Sequence, residues 1–455
     1  MFGKMTKVIS LLVVFALLTG AMVGCGGSKN VGNAAKPAET KKTAEEKKEP
    51  IKVEEATVTF MTWESQTMNQ MILNSFKDFE KENPGIKVSL VPSPLKDYGT
   101  KLKQMISAKQ APDIFMVGND WALQYGAQGQ LFDWTEHATK ESGLLDNYYP
   151  GVIENWKVNG KIYGLPGLLN CYGVFYNKRM FREANIPEPK NGWTYKEMLE
   201  AARKLSGMKD GVQRYGLYYP PYTAFDPFFL SVYAVSAGGT PFADSIVNVT
   251  RVEAGPEFKE GVNLIIQGIK DGSIAPPTFN ADNLVTMFMQ EKIPMMQHGQ
   301  WNADELIRNA PKNLEWGFVA NPIVSSQSTI YDCVGWASHA SIKNPDAVWK
   351  VLKYIDTKAY EVVLPQTPVA PPAYVKSAAP YYSKLKETGH EDVAEALDYM
   401  LKSPNKQPIR FQQSWAGEAK KFIDADWNKI LMGQVPVSKI DEIVKNINDV
   451  IAKNK

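Results

Sequence analysis

Chemistry-bearing residues are sparse in this chain of 455 residues, which has only three cysteines and four histidines. Cys25, Cys171 and Cys333 form no Cys-x-x-Cys pair, and His137, His298, His339 and His390 share no His-x-x-x-His spacing. A structural zinc site is therefore not expected, nor is any other metal or cofactor. Neither sign of charge is in excess: 51 Lys and Arg against 49 Asp and Glu leave +2, without the basic footprint of a nucleic-acid binder. Cys171 and Cys333 either pair in an oxidising compartment or are two small buried apolar residues, and spacing does not choose between them. What the chain has in plenty is aromatic residues, at 11%, enough for a core and for flat stacking surfaces.

The N-terminus reads as an address. Lys4 and Lys7 precede an apolar run, Val8 to Leu18, too short to span a membrane and of the length of a signal-peptide core. Met22-Val23-Gly24 ahead of Cys25 resembles a bacterial lipobox, which makes residues 1–24 a lipoprotein leader and Cys25 the expected lipid attachment site. Residues 25–55 are Gly, Ser, Asn, Ala, Lys and Glu with almost nothing apolar, the composition of a disordered tether.

Beyond the tether, Thr57 to Met61 alternates as a strand, and a helix with Met68, Ile72, Phe76 and Phe79 on one face follows. Asn83-Pro84-Gly85 stops it, Ile86 to Val91 forms the next strand, and Ala111 to Val117 a third after a second helix. Such βαβ order predicts a parallel sheet in an α/β fold. Ligands gather at the carboxyl ends of strands in such sheets. Two ends offer Trp63-Glu64 and Asn119-Asp120-Trp121. An indole packs on the C–H face of a pyranose while a carboxylate beside it accepts hydroxyl protons. Core packing is the competing role for both indoles, and helix capping for Asp120.

The chain is organised around residues 159–178. Asn159-Gly160 is a strong hairpin signal, and the apolar run after it carries Pro166, Gly167, Asn170 and Gly173, better suited to crossing between domains than to a regular central strand. Farther on, Thr194 and Glu197 form a capping box in Trp-Thr-Tyr-Lys-Glu-Met, and Tyr219 and Tyr222 sit where a strand opens into a loop. Gly299-Gln300-Trp301 ends a strand before a helix that Asn302 and Glu305 are expected to cap. Trp316 to Pro322 returns the chain, Val334-Gly335-Trp336 follows, and Arg410, Phe411 and Trp415 precede a last helical stretch.

Taken together, these motifs resemble the family 1 extracellular solute-binding proteins, the sugar-binding components of bacterial ABC importers, over residues 56–430. The resemblance implies a two-lobe periplasmic-binding-protein fold of type II character, hinged by several crossings. Lobe 1 is expected over 56–169 and 318–356, and lobe 2 over 170–317 and 357–455. It implies ligand contacts from Trp63, Glu64, Asn119, Asp120, Trp121, Asn170, Tyr172, Gln300, Trp301, Trp336 and Trp415, and no catalytic residue. Asn170 and Val117 stand where maltodextrin-binding members carry an acidic and an aromatic residue, so maltose specificity is not expected. The partners implied are a carbohydrate, probed between closing lobes, and the membrane permease of the importer, with the chain a lipid-anchored monomer outside the cytoplasmic membrane. A surface glycosidase using Glu64 and Asp120, and a binder of peptides or organic anions, are the alternatives.

Overall fold

A computed structural model of the protein describes residues 55–93, 97–218, 232–239, 249–279, 284–403, 406–408 and 415–454. The expected leader, Cys25, the tether up to residue 54, Tyr219, Tyr222, Arg410 and Phe411 lie outside the described residues.

The chain begins β1 (Ala56–Met61), α1 (Gln66–Glu82), β2 (Ile86–Leu90), α2 (Tyr98–Ser107), β3 (Ile114–Gly118), α3 (Asn119–Ala127) and α4 (Thr135–Lys140). β1 pairs in parallel with both β2 and β3, as the βαβ pattern requires. The apolar stripe of α1 is buried at Met68, Ile72, Phe76 and Phe79, and Ser65 caps its start by accepting from the Met68 N–H at 3.2 Å. A hairpin of β4 (Lys157–Val158) and β5 (Lys161–Ile162) turns at Asn159 and Gly160, both at positive φ (51° and 78°), the conformation Asn-Gly adopts with least cost.

Then come β6 (Gly164–Asn177), α5 (Lys178–Glu183), α6 (Tyr195–Leu205), a hairpin of β7 (Gly207–Lys209) and β8 (Val212–Arg214), α7 (Val232–Ser236) and α8 (Pro256–Lys270). The capping box at α6 is complete: the Thr194 side chain accepts from the Glu197 N–H, and Glu197 accepts from the Thr194 N–H. Thr194→Ala should therefore lower urea-unfolding stability by ~1 kcal/mol; an unchanged midpoint would show that tertiary packing alone starts this helix. Pro256 opens α8 at its first turn, and Gly272 follows its end at φ 75°.

The chain continues through α9 (Leu284–Met289), β9 (Met295–Gly299), α10 (Asn302–Asn309), β10 (Trp316–Ala320), β11 (Thr329–Ala337) and α11 (Pro345–Tyr354). A π-helical turn at Ile355–Ala359 leads into α12 (Tyr360–Val363), and α13 (Ala379–Glu387), α14 (Glu391–Leu401), β12 (Lys406–Pro408), α15 (Ala416–Leu431) and α16 (Lys439–Lys453) complete it.

β6 is the axis of the molecule. All fourteen of its residues are buried, and its two halves have different neighbours. Leu165 to Cys171 pair antiparallel with β11, which also pairs with β3 and so joins β6 to β1 and β2. Tyr172 to Tyr176 pair antiparallel with β9 on one edge, and Gly173 to Asn177 with β10 on the other. A third stretch joins the first half: the Leu169 N–H donates to Pro371 O at 3.0 Å, and the Ala373 N–H to Gly167 O at 2.7 Å.

Alternation along β6 feeds two cores. Leu169, Cys171 and Phe175 belong to a core with Phe60, Phe76, Trp134, Trp336, Tyr360 and Leu397. Tyr172, Val174 and Tyr176 belong to another with Trp193, Met198, Phe258, Ile423 and Ile443. The helical segment 355–363 packs on α1, whereas α15 packs on α8 and α16. Cys171 and Cys333 are both buried and form no disulfide with each other, and burial pushes the Cys171 thiol up to about 12.

Candidate functional site

Where β6 passes from one set of neighbours to the other, side-chain amides hold the crossings together. Gln300, just past β9, accepts from the Cys171 N–H at 2.7 Å through Oε1 and donates from Nε2 to Asn170 Oδ1 at 3.0 Å and Val369 O at 3.4 Å. Its own N–H reaches Cys171 O at 3.0 Å. Asn321 adds a bond from Nδ2 to Tyr172 O at 2.7 Å and accepts from Gln297 Nε2 at 2.7 Å. Asn170 and Gln300 were expected to contact ligand. They meet each other, and Gln300, at 0% exposure, has both ends of its amide committed to protein, which ties the crossings together.

Two carboxylates come from segments far apart in the chain. Glu64 lies in the turn between β1 and α1, held by Thr62 and Asn69: the Glu64 N–H donates to Thr62 Oγ1 at 2.9 Å, and Asn69 Nδ2 to Glu64 O at 3.0 Å. Trp63 beside it is half-buried and meets Tyr98 edge-on at 5.4 Å between ring centres. Asp304 stands on α10, one helical turn beyond Trp301. Its Oδ2 accepts from Arg308 at 3.0 Å (Nε) and 2.6 Å (a terminal nitrogen), and its Oδ1 is buried without a hydrogen bond from any described residue. Burial, and then the negative charge of Asp304, push the Glu64 carboxyl up to about 7. The two carboxylates thus repel each other. Tyr360 feels Glu64, and Tyr381 feels Asp304, so all four groups share one electrostatic neighbourhood.

Trp301 is half-buried and packs on the second core. Its ring lies so close over Gly299 that a Cβ there would come within 1.7 Å of it. Tyr172 and His298 meet the ring edge-on at 5.2 Å and 5.5 Å. Burial drives the His298 imidazole down to about 4, which leaves it neutral at pH 7. The expected cap of α10 does not form: Asn302 turns back to donate to Gly299 O at 2.8 Å, and Trp301 takes the cap position.

Three expected contacts sit on α3. Asn119 and Asp120 are buried in its first turn, with Gly118 and not Asp120 at the cap. Trp121 turns toward α2, 3.6 Å from the position a Cβ on Gly99 would take, with the Lys103 ammonium 5.0 Å from its ring centre. The other two indoles expected at the site are buried. Trp336 has 0% exposure and donates from Nε1 to Tyr360 Oη at 3.1 Å, and its strand pairs with β6 and β3 on its two edges. Trp415 is likewise buried, in the second core with Ile423 and Ile443.

Sequence reasoning passed over Asp304, Arg308, Tyr360 and Tyr381. Asp304 carried a readable signal, since it lies three residues after Trp301 and four before Arg308 on one helix. The tyrosines carried none. Among the described residues, no group of three or more His, Cys, Asp or Glu could hold a metal, and no helix is long and apolar enough to cross a membrane.

The family of bacterial extracellular solute-binding proteins matches residues 74–400. The multiple sugar-binding protein of Streptococcus mutans is 28% identical over 212 residues, covering 46% of this chain and 43% of that protein. The galactooligosaccharide-binding protein of Bacillus subtilis is 22% identical over 415 residues, covering 88% and 89%. Among solved structures, the ABC substrate-binding protein of Listeria monocytogenes in complex with cycloalternan superposes with a TM-score of 0.72 at 22% identity, covering 88% of this chain and 99% of that one. With about seven-tenths of its length inside the family match, a β6 axis shared by two cores and three crossings at one hinge, the chain belongs to the bacterial extracellular solute-binding proteins.

Proposed function

We propose that the protein is the carbohydrate-capturing component of an ABC importer, taking an oligosaccharide between two lobes and delivering it to the membrane permease. The observation that carries this reading is that two segments each set an indole near a carboxylate, Trp63 with Glu64 after β1 and Trp301 with Asp304 at α10, and that the charge of Asp304 acts on Glu64. Each segment offers an indole for a sugar face and a carboxylate for hydroxyl protons. The galactooligosaccharide- and maltodextrin-binding relatives in Bacillus subtilis support the ligand class. In this reading the lobes meet along residues 170–173, the segment 355–374 stays with the first lobe, and closure of the hinge completes the ligand's contacts. Tyr172, Asn119 and Asp120 are placed at the margin of the site, and Trp121 supports it from behind.

The same proposal makes residues 1–24 a leader, Cys25 the lipid-bearing residue and the chain a monomer anchored outside the cytoplasmic membrane. It involves no covalent chemistry on the ligand. Peptides or organic anions fit less well, because Glu64 has no cationic partner among the described residues to offset a second negative charge.

The full chain, screened by thermal shift against mono- and oligosaccharides, should show a raised melting temperature with one class and return that sugar intact. Cleavage of the sugar would replace the reading with a glycosidase. Trp301→Ala should weaken binding of that sugar by about thirtyfold, the cost of truncating a central aromatic anchor of ~2 kcal/mol; an unchanged Kd by calorimetry would take Trp301 out of the site.

A further inference from the structure

We propose that His298 is a ligand-contact residue whose imidazole, fixed with its proton on Nε2, donates a hydrogen bond to an oxygen of the sugar unit packed on Trp301. The inference rests on the carbohydrate-binding reading and adds a neutral donor to it.

The hydrogen bonds at Nδ1 fix the tautomer. The Gly299 N–H lies 2.9 Å from Nδ1 and can only donate. Asn302 Nδ2 lies 2.7 Å from the same nitrogen. That atom is the amide nitrogen because it also bonds Gly299 O at 2.8 Å, and a carbonyl oxygen only accepts. Nδ1 thus turns its lone pair toward two donors, and the proton of the neutral ring is on Nε2. Burial works in the same direction by disfavouring the imidazolium. A ring in this form has no lone pair at Nε2 with which to take a proton or bind a metal. What it offers there is a donor.

That donor is open and stands beside the indole. His298 is partly exposed, no described residue bonds its Nε2, and that nitrogen is not sealed from solvent. Opposite it in the ladder is Gly173, which has no side chain to accept the proton. The imidazole meets Trp301 edge-on at 5.5 Å between ring centres, so a pyranose packed on that half-exposed indole lies next to it. Holding the ring also leaves α10 without a side-chain cap, because Asn302 turns back toward His298 and Gly299. The carboxylates assigned to the site accept hydrogen bonds, whereas each sugar hydroxyl both donates and accepts. A neutral donor next to Trp301 supplies what the carboxylates do not.

Long-range proton–nitrogen NMR on the full chain with isotope-labelled histidine reads the tautomer. The His298 ring should carry its proton on Nε2 at both pH 6 and pH 8. A proton on Nδ1, or an imidazolium at pH 6, would overturn the proposal. Calorimetry with two probes, maltotriose and β-1,4-galactotriose, reads the contact. His298→Asn keeps an acceptor near the place of Nδ1 and has nothing at the place of Nε2. It should hold the ligand-free melting temperature and bind about tenfold more weakly whichever trimer the unaltered protein binds. His298→Gln, whose amide nitrogen reaches the place of Nε2, should recover most of that loss. Saturation of the unaltered protein with that trimer should also shift the His298 Nε2–H signal, a readout that stands even if a variant fails to fold. An unchanged Kd in His298→Asn, or an unmoved Nε2–H signal at saturation, would overturn the proposal and leave the carbohydrate reading intact. If neither trimer bound the unaltered protein, the carbohydrate reading would fall, and this proposal with it.

Discussion

Gln300→Ala is expected to cost ~3–5 kcal/mol of stability in the absence of any ligand. The substitution leaves the buried Cys171 N–H without its acceptor at 2.7 Å and Asn170 Oδ1 without its donor at 3.0 Å. Each orphaned group costs about 1–3 kcal/mol, and a cavity in a fully buried site adds to it. Urea unfolding followed by tryptophan fluorescence should show the loss as a lower midpoint. Gln300→Glu should recover little, since it keeps an acceptor for Cys171 but sets a carboxylate against Asn170 Oδ1 where a donor stood. A residue whose role was only to touch sugar would leave the ligand-free midpoint where it is. An unchanged midpoint would therefore return Gln300 to the binding site and remove it from the hinge.

The second large effect is a pH dependence built into the first core. Asp356, at 0% exposure in the π-helical turn after α11, accepts from the Tyr148 hydroxyl through Oδ2, and its Oδ1 has no hydrogen bond from a described residue. Burial pushes its carboxyl from 3.8 up to about 8, and the bond from Tyr148 only partly opposes that. The folded state thus keeps a proton that the unfolded chain releases. Stability is complete below the unfolded pKa near 4 and declines as pH rises toward 8. At pH 7 the cost is at most ~4 kcal/mol, the difference between 3.8 and 7 at 1.36 kcal/mol per unit. Asp356→Asn, neutral at every pH and still able to accept from Tyr148, should be more stable than the unaltered protein by ~2–4 kcal/mol at pH 8 and should lose that advantage by pH 4. Parallel stability–pH curves for the two proteins would show that Asp356 is ionised in the fold and solvated by something other than Tyr148.

Local order was legible to the extent that one element carries its own reason for existing. The alternation of β1, the stripe of α1, the Asn159-Gly160 turn and the Thr194–Glu197 box each depend on neighbours within a few residues, and each formed as read. The identity of β6 as a crossing segment was legible too, through the Pro, Gly and Asn in an otherwise apolar run. Exposure at the expected site was less legible. Trp301 and Trp336 both follow a glycine within two residues at a strand. One ring stays half-exposed over Gly299, and the other is sealed beneath Tyr360. Nothing local separates them, because what matters is whether a strand pairs on both edges and whether a helix covers the face.

Cys171 and Cys333 make the same point in another way. They occupy neighbouring strands, yet the ladder sets Cys171 opposite Tyr331 and Cys333 opposite Leu169, a two-residue offset that keeps the two from pairing with each other. By itself the sequence determined the α/β class, the crossing at β6 and the aromatic and acidic residues available for a ligand, since these follow from short-range periodicity and turn chemistry. Only the tertiary structure decided that Gln300 ties the crossings, that Trp336 is sealed and that the charge of Asp304 acts on Glu64. Those outcomes depend on contacts between segments far apart in the chain, and the burial and charge they create belong to no single stretch of it.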